Sequence, residues 1–317
     1  MGDHSQASSA VALTDIEQLR SRRLKVRPLR HPWRYVSAGI ALAFLAFIVL
    51  SFAHAQIDWS VVKQYLTTET VLIGLEHTIL ISVLAMVLGL LLGVIFAVMR
   101  LSANPVTSAV AWLYVWLFRG TPVLLQLLLW FNLALVWPTI TIPGIYQDKT
   151  VHIISPFIAA LLGLGVNEGA YLTEVVRAGI LSVDEGQWAA ASTLGLSRLQ
   201  TLRLIVLPQA MRVIIPPIGN ESIGMLKFSS LASVISYSEL LNQTQQIYFV
   251  NGAVIELLIV AAIWYLAVTT VLTTIQYYVE RYFGRGAQRV RPRSTGERIM
   301  ISLLETIRVR GSGSAGA

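Results

Sequence analysis

Glu168, Glu174, Glu221 and Lys227 are ionisable side chains set in long, otherwise apolar stretches of this chain. A charge held in hydrocarbon costs at least about 2.5–3.5 kcal/mol on insertion scales, so such groups face a cavity or a partner. A carboxylate there can receive an ammonium group and the lysine a carboxylate; the competing reading is bracing between helices. Glu221 and Lys227 are six residues apart, too far to pair on one regular helix, so each looks to another element. Glu174 lies three residues from Arg177 and is read as reaching the interface beside it. Thr121 and Gln126 flank a proline break, and with Tyr171 and Asn220 they complete the polar candidates for a small-solute pathway. Enzymatic chemistry finds no support. No Gly-x-x-x-x-Gly-Lys-Ser/Thr loop occurs, the five histidines lack metal-site spacing, and nothing resembles an activated nucleophile. The chain has no cysteine, which excludes disulfides.

The elements that must hold these residues are read from hydropathy. Only 13% of the 317 residues are charged, against about 25% in soluble domains. Uncharged runs at 35–53, 78–99 and 257–279 each approach the roughly 20 residues that cross a hydrocarbon core, and backbone satisfaction makes them helices. The first run lies too far from Met1 and lacks a convincing cleavage pattern, so it reads as a retained helix, not a signal peptide. Seven of the 24 basic residues fall within 20–34 and eight within 281–310, flanking spans. The positive-inside rule then puts both termini in the cytoplasm, with anionic lipid as a sufficient partner and no need for nucleic acid.

Spans are expected near 34–53, 71–99, 155–177, 213–236 and 255–280, with 238–253 an outer loop. The uncharged region 102–147, interrupted by Arg119, is ambiguous. The charge balance favours an in-plane helix that turns at Thr121-Pro122 into a single span, with Arg119 counted at the cytoplasmic side. Trp112, Tyr114 and Trp116 read as an interfacial belt. The chain thus divides into a basic tail over 1–33, a helix over 34–53, a membrane domain over 71–281 and a basic, then Gly/Ser-rich tail over 282–317.

Between two of these spans runs "EGQWAAASTLGLSRLQTLRLIVLPQA". Gln187–Leu194 is a good helix former with a small-residue face at Ala189, Ala190 and Ala191. Gly195 suits its C-terminus, Ser197 an N-cap, and Pro208 begins or interrupts the next span. The result is a short cytoplasmic helix-turn-helix, either projecting towards a partner or lying on lipid head groups.

That segment resembles the EAA loop of permease subunits in bacterial ATP-binding-cassette (ABC) importers, in particular the polar amino acid branch. The matching residues are Ala189-Ala190-Ala191, Gly195 and Ile205-Val206-Leu207-Pro208. "FRGTPVLLQLLLWF" (118–131), "GAYLTEVVRAGI" (169–180) and "PPIGNESIGMLKFSSLASVISYSELL" (216–241) resemble further segments of that branch, and the likeness runs from about Leu72 to Arg281. Two departures stand out. Ala189 replaces the loop glutamate, and Phe228 follows Lys227 where the branch carries aspartate.

The resemblance implies an all-α, polytopic membrane protein: a five-helix permease core plus one extra N-terminal helix. It implies a translocation pathway for a polar amino acid or derivative in the bacterial inner membrane. A separate binding protein delivers the substrate and a second permease subunit, identical or paralogous, completes the pathway. ATP binds to the partner ATPase subunits and not to this chain. The coupling loop, 178–212, would meet the ATPase through Trp188, Ala189, Ala190, Ala191, Gly195, Leu196, Leu207 and Pro208. The alternative is an autonomous secondary transporter or channel that uses its intramembrane carboxylates.

Overall fold

The computed structural model describes residues 33–54, 57–142 and 146–284. The expected tail over 1–33 lies outside these residues except for Trp33, and the tail over 282–317 lies outside beyond Gly284. The chain separates into two units at Ile57. The first contains helix α1 (Trp33–His54), whose described side chains are all exposed. The second holds everything else.

A close seam between two helices organises the second unit. Helix α2 (Trp59–Tyr65) leads into α3 (Glu69–Arg100), which packs along α7 (Pro156–Leu181). Ala85, Gly89, Gly93 and Ala97 recur at every fourth position of α3 and all are buried. In an apolar helix this small-xxx-small pattern lets backbones approach closely, where van der Waals contact drives association. The approach leaves no room for more: a Cβ on Gly93 would stand 2.7 Å from Leu172 Cβ, and one on Gly89 2.9 Å from Glu168 Cβ. Serine and proline start α7 at the expected place, with Ser155 Oγ accepting from Ile158 N–H.

The ambiguous region forms two helices, α4 (Pro105–Gly120) and α5 (Val123–Phe131), bent by 102°. The turn falls at Thr121-Pro122, and the helix after it ends at Phe131, well before the uncharged run does. After Phe131 comes a 3-10 turn (Leu133–Leu135), then an antiparallel hairpin of β1 (Thr139–Ile142) and β2 (Tyr146–Lys149). Alternating β-branched residues in Thr-Ile-Thr-Ile favour strand over helix, and Pro138 blocks helix continuation. A short helix α6 (Thr150–Ile153) returns the chain to α7.

The loop after α7 contains α8 (Glu185–Thr193), then α9 (Arg198–Thr201), a π-helical stretch (Leu202–Val206) and α10 (Leu207–Phe228). Helical structure is therefore continuous from Arg198 to Ile235, closing in a 3-10 stretch (Ser229–Ile235). The second arm of the expected helix-turn-helix merges into the following span. Pro208 is the physical reason for the π stretch. Its ring would clash with the Leu204 carbonyl of a regular helix, and widening the turn removes the clash.

The expected outer loop 238–253 is largely helix α11 (Leu240–Asn251). Its polar sequence hid it from a hydropathy reading, but its ends carry caps. Glu239 accepts the N–H groups of Leu241 and Asn242, and Gly252 adopts φ +75° beyond the last turn. Helix α12 (Val254–Phe283) completes the unit. Among the described residues, α3, the 198–235 helix and α12 are long and apolar enough to cross a membrane, as is the bent α4–α5 pair taken together. Helix α7 has 26 residues but carries Asn167, Glu168, Glu174 and Arg177, so its sequence is less apolar.

Candidate functional site

A helix broken among apolar neighbours releases backbone carbonyls that need donors. At the α4–α5 bend, Gln126 is 4% exposed and its Nε2 donates to Phe118 O, Thr121 O and Thr121 Oγ1 at 2.8–3.1 Å. Asn167, near the midpoint of α7, donates its Nδ2 to Phe118 O at 2.8 Å. Thr121 Oγ1 donates to Leu117 O. Thr121 and Gln126, candidates for a solute pathway from sequence, are therefore engaged in holding the break against α7.

One residue along from Asn167 the pattern reverses. Glu168 is 3% exposed, and its Oε1 has no hydrogen-bond partner among the described residues. Tyr171, on the same face of α7 one turn away, holds the Arg119 guanidinium 4.9 Å above its ring. Glu221, half-buried on α10, is the charged neighbour of Glu168 and lies within the field of Arg119. Among the described residues Arg119, Glu168 and Glu221 make no ion pair within 4.0 Å. Arg119 of α4 thus meets Tyr171 of α7, while Glu168 of α7 and Glu221 of α10 lie within electrostatic reach of one another.

The remaining polar candidates lie apart from this patch. Asn220 Oδ1 accepts from Gln276 Nε2 of α12, while Lys227 is exposed and makes no ion pair among the described residues. Glu174 binds Arg177 through two contacts of 2.7 and 2.8 Å, with Arg100 Nε at 3.7 Å, as its position beside Arg177 suggested. Tyr114 departs from the expected belt. It stacks on Phe96 at 3.8 Å and donates to Val166 O, whereas Trp112 and Trp116 are exposed.

The loop after α7 has two faces. Ala191 is fully buried and Trp188 packs on a cluster of Val176, Val183, Val206, Ala210 and Ile214. Leu196 is half-buried. Ala189, Ala190, Leu194 and Leu199 are exposed, as are Gly195, Leu207 and Pro208. Gly195 adopts φ +77°, which turns the chain between α8 and α9. Ser197 then begins α9 with a reciprocal capping box to Gln200. The inner face binds the loop to the ends of α3, α7 and α10, and the outer face is left free of the other described residues.

Residues 89–285 match the family of binding-protein-dependent transport system inner membrane components. The chain belongs to that family. The permease is 43% identical to the arginine transport system permease ArgU of Corynebacterium glutamicum over 84% of this chain and 85% of that one. It is 33% identical to the glutamine transport system permease GlnP of Escherichia coli K12, over 71% and 97% of the two chains. A solved amino acid ABC transporter with histidines superposes with a TM-score of 0.63 at 33% identity, covering 72% of the permease and all of that chain.

The protein is accordingly the permease component of a binding-protein-dependent amino acid ABC importer and not an enzyme. It is a multi-pass inner-membrane protein whose system includes an ATPase, which handles ATP, and a binding protein. Arg119 is the site residue that sequence reasoning missed, because a charge tally puts it with Arg100 at one surface. Its backbone instead lies beside Asn167, about two turns along α7 from the Glu174 to which Arg100 points. The available signal was a lone charge between two apolar stretches, immediately before Gly120-Thr121-Pro122.

Proposed function

We propose that this permease conducts a cationic amino acid, arginine or a close relative, past a site formed by Glu168, Tyr171 and Glu221. The observation that carries the reading is the partnerless oxygen of buried Glu168, on the helix that presents the Tyr171 ring and with Glu221 as its charged neighbour. A cationic side chain brings N–H donors for that oxygen, which an apolar side chain does not. The likeness to an arginine permease over most of both chains supports the same class. Thr121, Gln126, Asn220 and Lys227 frame the pathway and do not supply the cation site.

Five crossings carry the pathway in this reading: α3, the broken α4–α5 pair, α7, the 198–235 helix and α12. α1 is an additional one, and both termini are cytoplasmic. A second permease subunit, the same chain or a paralogue, completes the pathway. Coupling runs through the loop 178–212, whose free face (Ala189, Ala190, Gly195, Leu207 and Pro208) meets the ATPase. Trp188, Ala191 and Leu196 transmit its movement to α3, α7 and α10 by packing. A rigid, capped helix seated on that cluster passes on a rotation that a flexible loop would absorb. Ala189 stands on the free face, so the missing acid alters the partner contact and not the fold of the loop.

The test is uptake into proteoliposomes containing the importer with its ATPase and binding protein. ATP-dependent uptake of L-arginine, competed by L-lysine but not by L-glutamate, is the expected result. Uptake by the permease alone, indifferent to ATP, would restore the secondary-transporter alternative.

A further inference from the structure

We propose that Arg119 is a tethered stand-in for the substrate's cation, occupying the Tyr171 ring face in the unloaded permease and swinging away when substrate enters. The idea rests on the cation site proposed above and adds the residue that controls access to it.

The guanidinium lies 4.9 Å over the Tyr171 ring and within the field of Glu221. These are the surroundings the site would offer to an arginine or lysine side chain. Arg119 is nevertheless held loosely, being exposed and without a hydrogen bond or ion pair among the described residues. Its backbone is fixed while its side chain is not. The carbonyl just before it, Phe118 O, is bound by both Gln126 and Asn167, and Thr121 O, two residues further on, by Gln126. An internal competitor of this kind lowers the apparent affinity for substrate by the fraction of time it occupies the site. It also keeps Glu221 within the field of a cation when no ligand is bound, and so selects ligands that can take its place.

Two other roles for Arg119 give opposite outcomes. An anchor for the substrate carboxylate would lose affinity when removed. An arginine merely reaching towards the interface would leave affinity unchanged.

The experiment measures equilibrium binding of radiolabelled L-arginine to the full permease–ATPase complex in lipid nanodiscs without binding protein. Arg119→Gln should bind about tenfold more tightly than the unmodified complex. Arg119→Lys, which keeps charge but lacks a planar stacking group, should fall between them. L-Glutamine, tested as the neutral probe, should gain nothing. Glu221→Gln should weaken arginine binding in either background. If Glu221→Gln weakens binding while Arg119→Gln leaves it equal or weaker, the stand-in role is overturned and the cation site stands. If Glu221→Gln has no effect in either background, the cation site falls and the stand-in with it. The lysine variant keeps the test decisive should the glutamine variant not assemble, because affinity no higher than that of the unmodified complex overturns the proposal.

Discussion

Glu239 and Glu168 are both buried carboxylates, 0% and 3% exposed, but their surroundings differ completely. Glu239 accepts from the N–H groups of Leu241 and Asn242 and from the Tyr265 hydroxyl at 2.7–2.9 Å, tying α11 to α12. The adjacent Leu240 N–H donates to Thr78 Oγ1 on α3, and His77 Nδ1 meets Ser238 O. Glu168 has an oxygen with no partner and a second carboxylate as its charged neighbour. Burial alone therefore does not mark a functional acid. The difference lies in whether the desolvated oxygens are already satisfied by the fold, since an unsatisfied one costs energy that a ligand can recover.

The strongest break in this comparison is Glu239→Ala. It leaves two backbone N–H groups and a tyrosine hydroxyl without their acceptor, at about 1–3 kcal/mol for each group stranded. The purified complex should lose about 3 kcal/mol and on the order of 10 °C in Tm, with less permease recovered from membranes. An unchanged Tm would mean that the Glu239 bonds contribute nothing to folding.

Glu168→Gln should behave in the opposite way. It breaks no hydrogen bond and removes an ionisable group from an apolar seam, so Tm should hold or rise. ATP-dependent arginine uptake should fall at least tenfold. A variant that unfolds and transports normally per folded molecule would reverse the assignment of the two acids.

A smaller effect is expected from Gly89→Ala, whose added methyl would stand 2.9 Å from Glu168 Cβ. The seam must open slightly at that level, which displaces Glu168 without touching its charge. Uptake should drop several-fold with a loss of about 1–2 kcal/mol in stability, following the cost of overpacking. Comparing it with Glu168→Gln separates position from charge.

The mildest change is Ala189→Glu, on the exposed face of α8. Restoring the acid should leave Tm unchanged and shift the affinity for the ATPase about twofold to fivefold, read by co-purification or titration of ATPase activity. A large loss of stability would show that Ala189 is packed within the loop.

Much of this was legible in the chain itself. Hydropathy located α3, α7 and α12, and Ser155-Pro156 marked where α7 starts because capping and N1 chemistry act over a few residues. Gly195 and Ser197 marked the turn of the coupling loop for the same reason. The small residues of the α3 seam were also in plain view as Ala85, Gly89, Gly93 and Ala97, although only their burial shows which helix they meet. Helix α11 was hidden because its residues are polar on most sides, despite a capping acid and a terminal glycine. The hairpin at 139–149 was hidden because uncharged β-branched residues satisfy a hydropathy window as well as a helix does.

Sequence by itself determined that the chain is a polytopic membrane protein, where its apolar elements lie and the polar residues among which a site must be sought, and its resemblance to a permease family supplied the rest. Those properties follow from local propensity and from the transfer energy of side chains, both of which are read one segment at a time. Tertiary structure alone decided which of the polar residues are free. Gln126 and Asn167 are consumed by a broken helix and Glu239 by a cap, while the overlooked Arg119 meets Tyr171 and Glu168 has Glu221 as its charged neighbour, across three helices far apart in the chain. Hydrogen-bond satisfaction depends on who stands opposite, and that is fixed by packing across the bundle and not by any one segment.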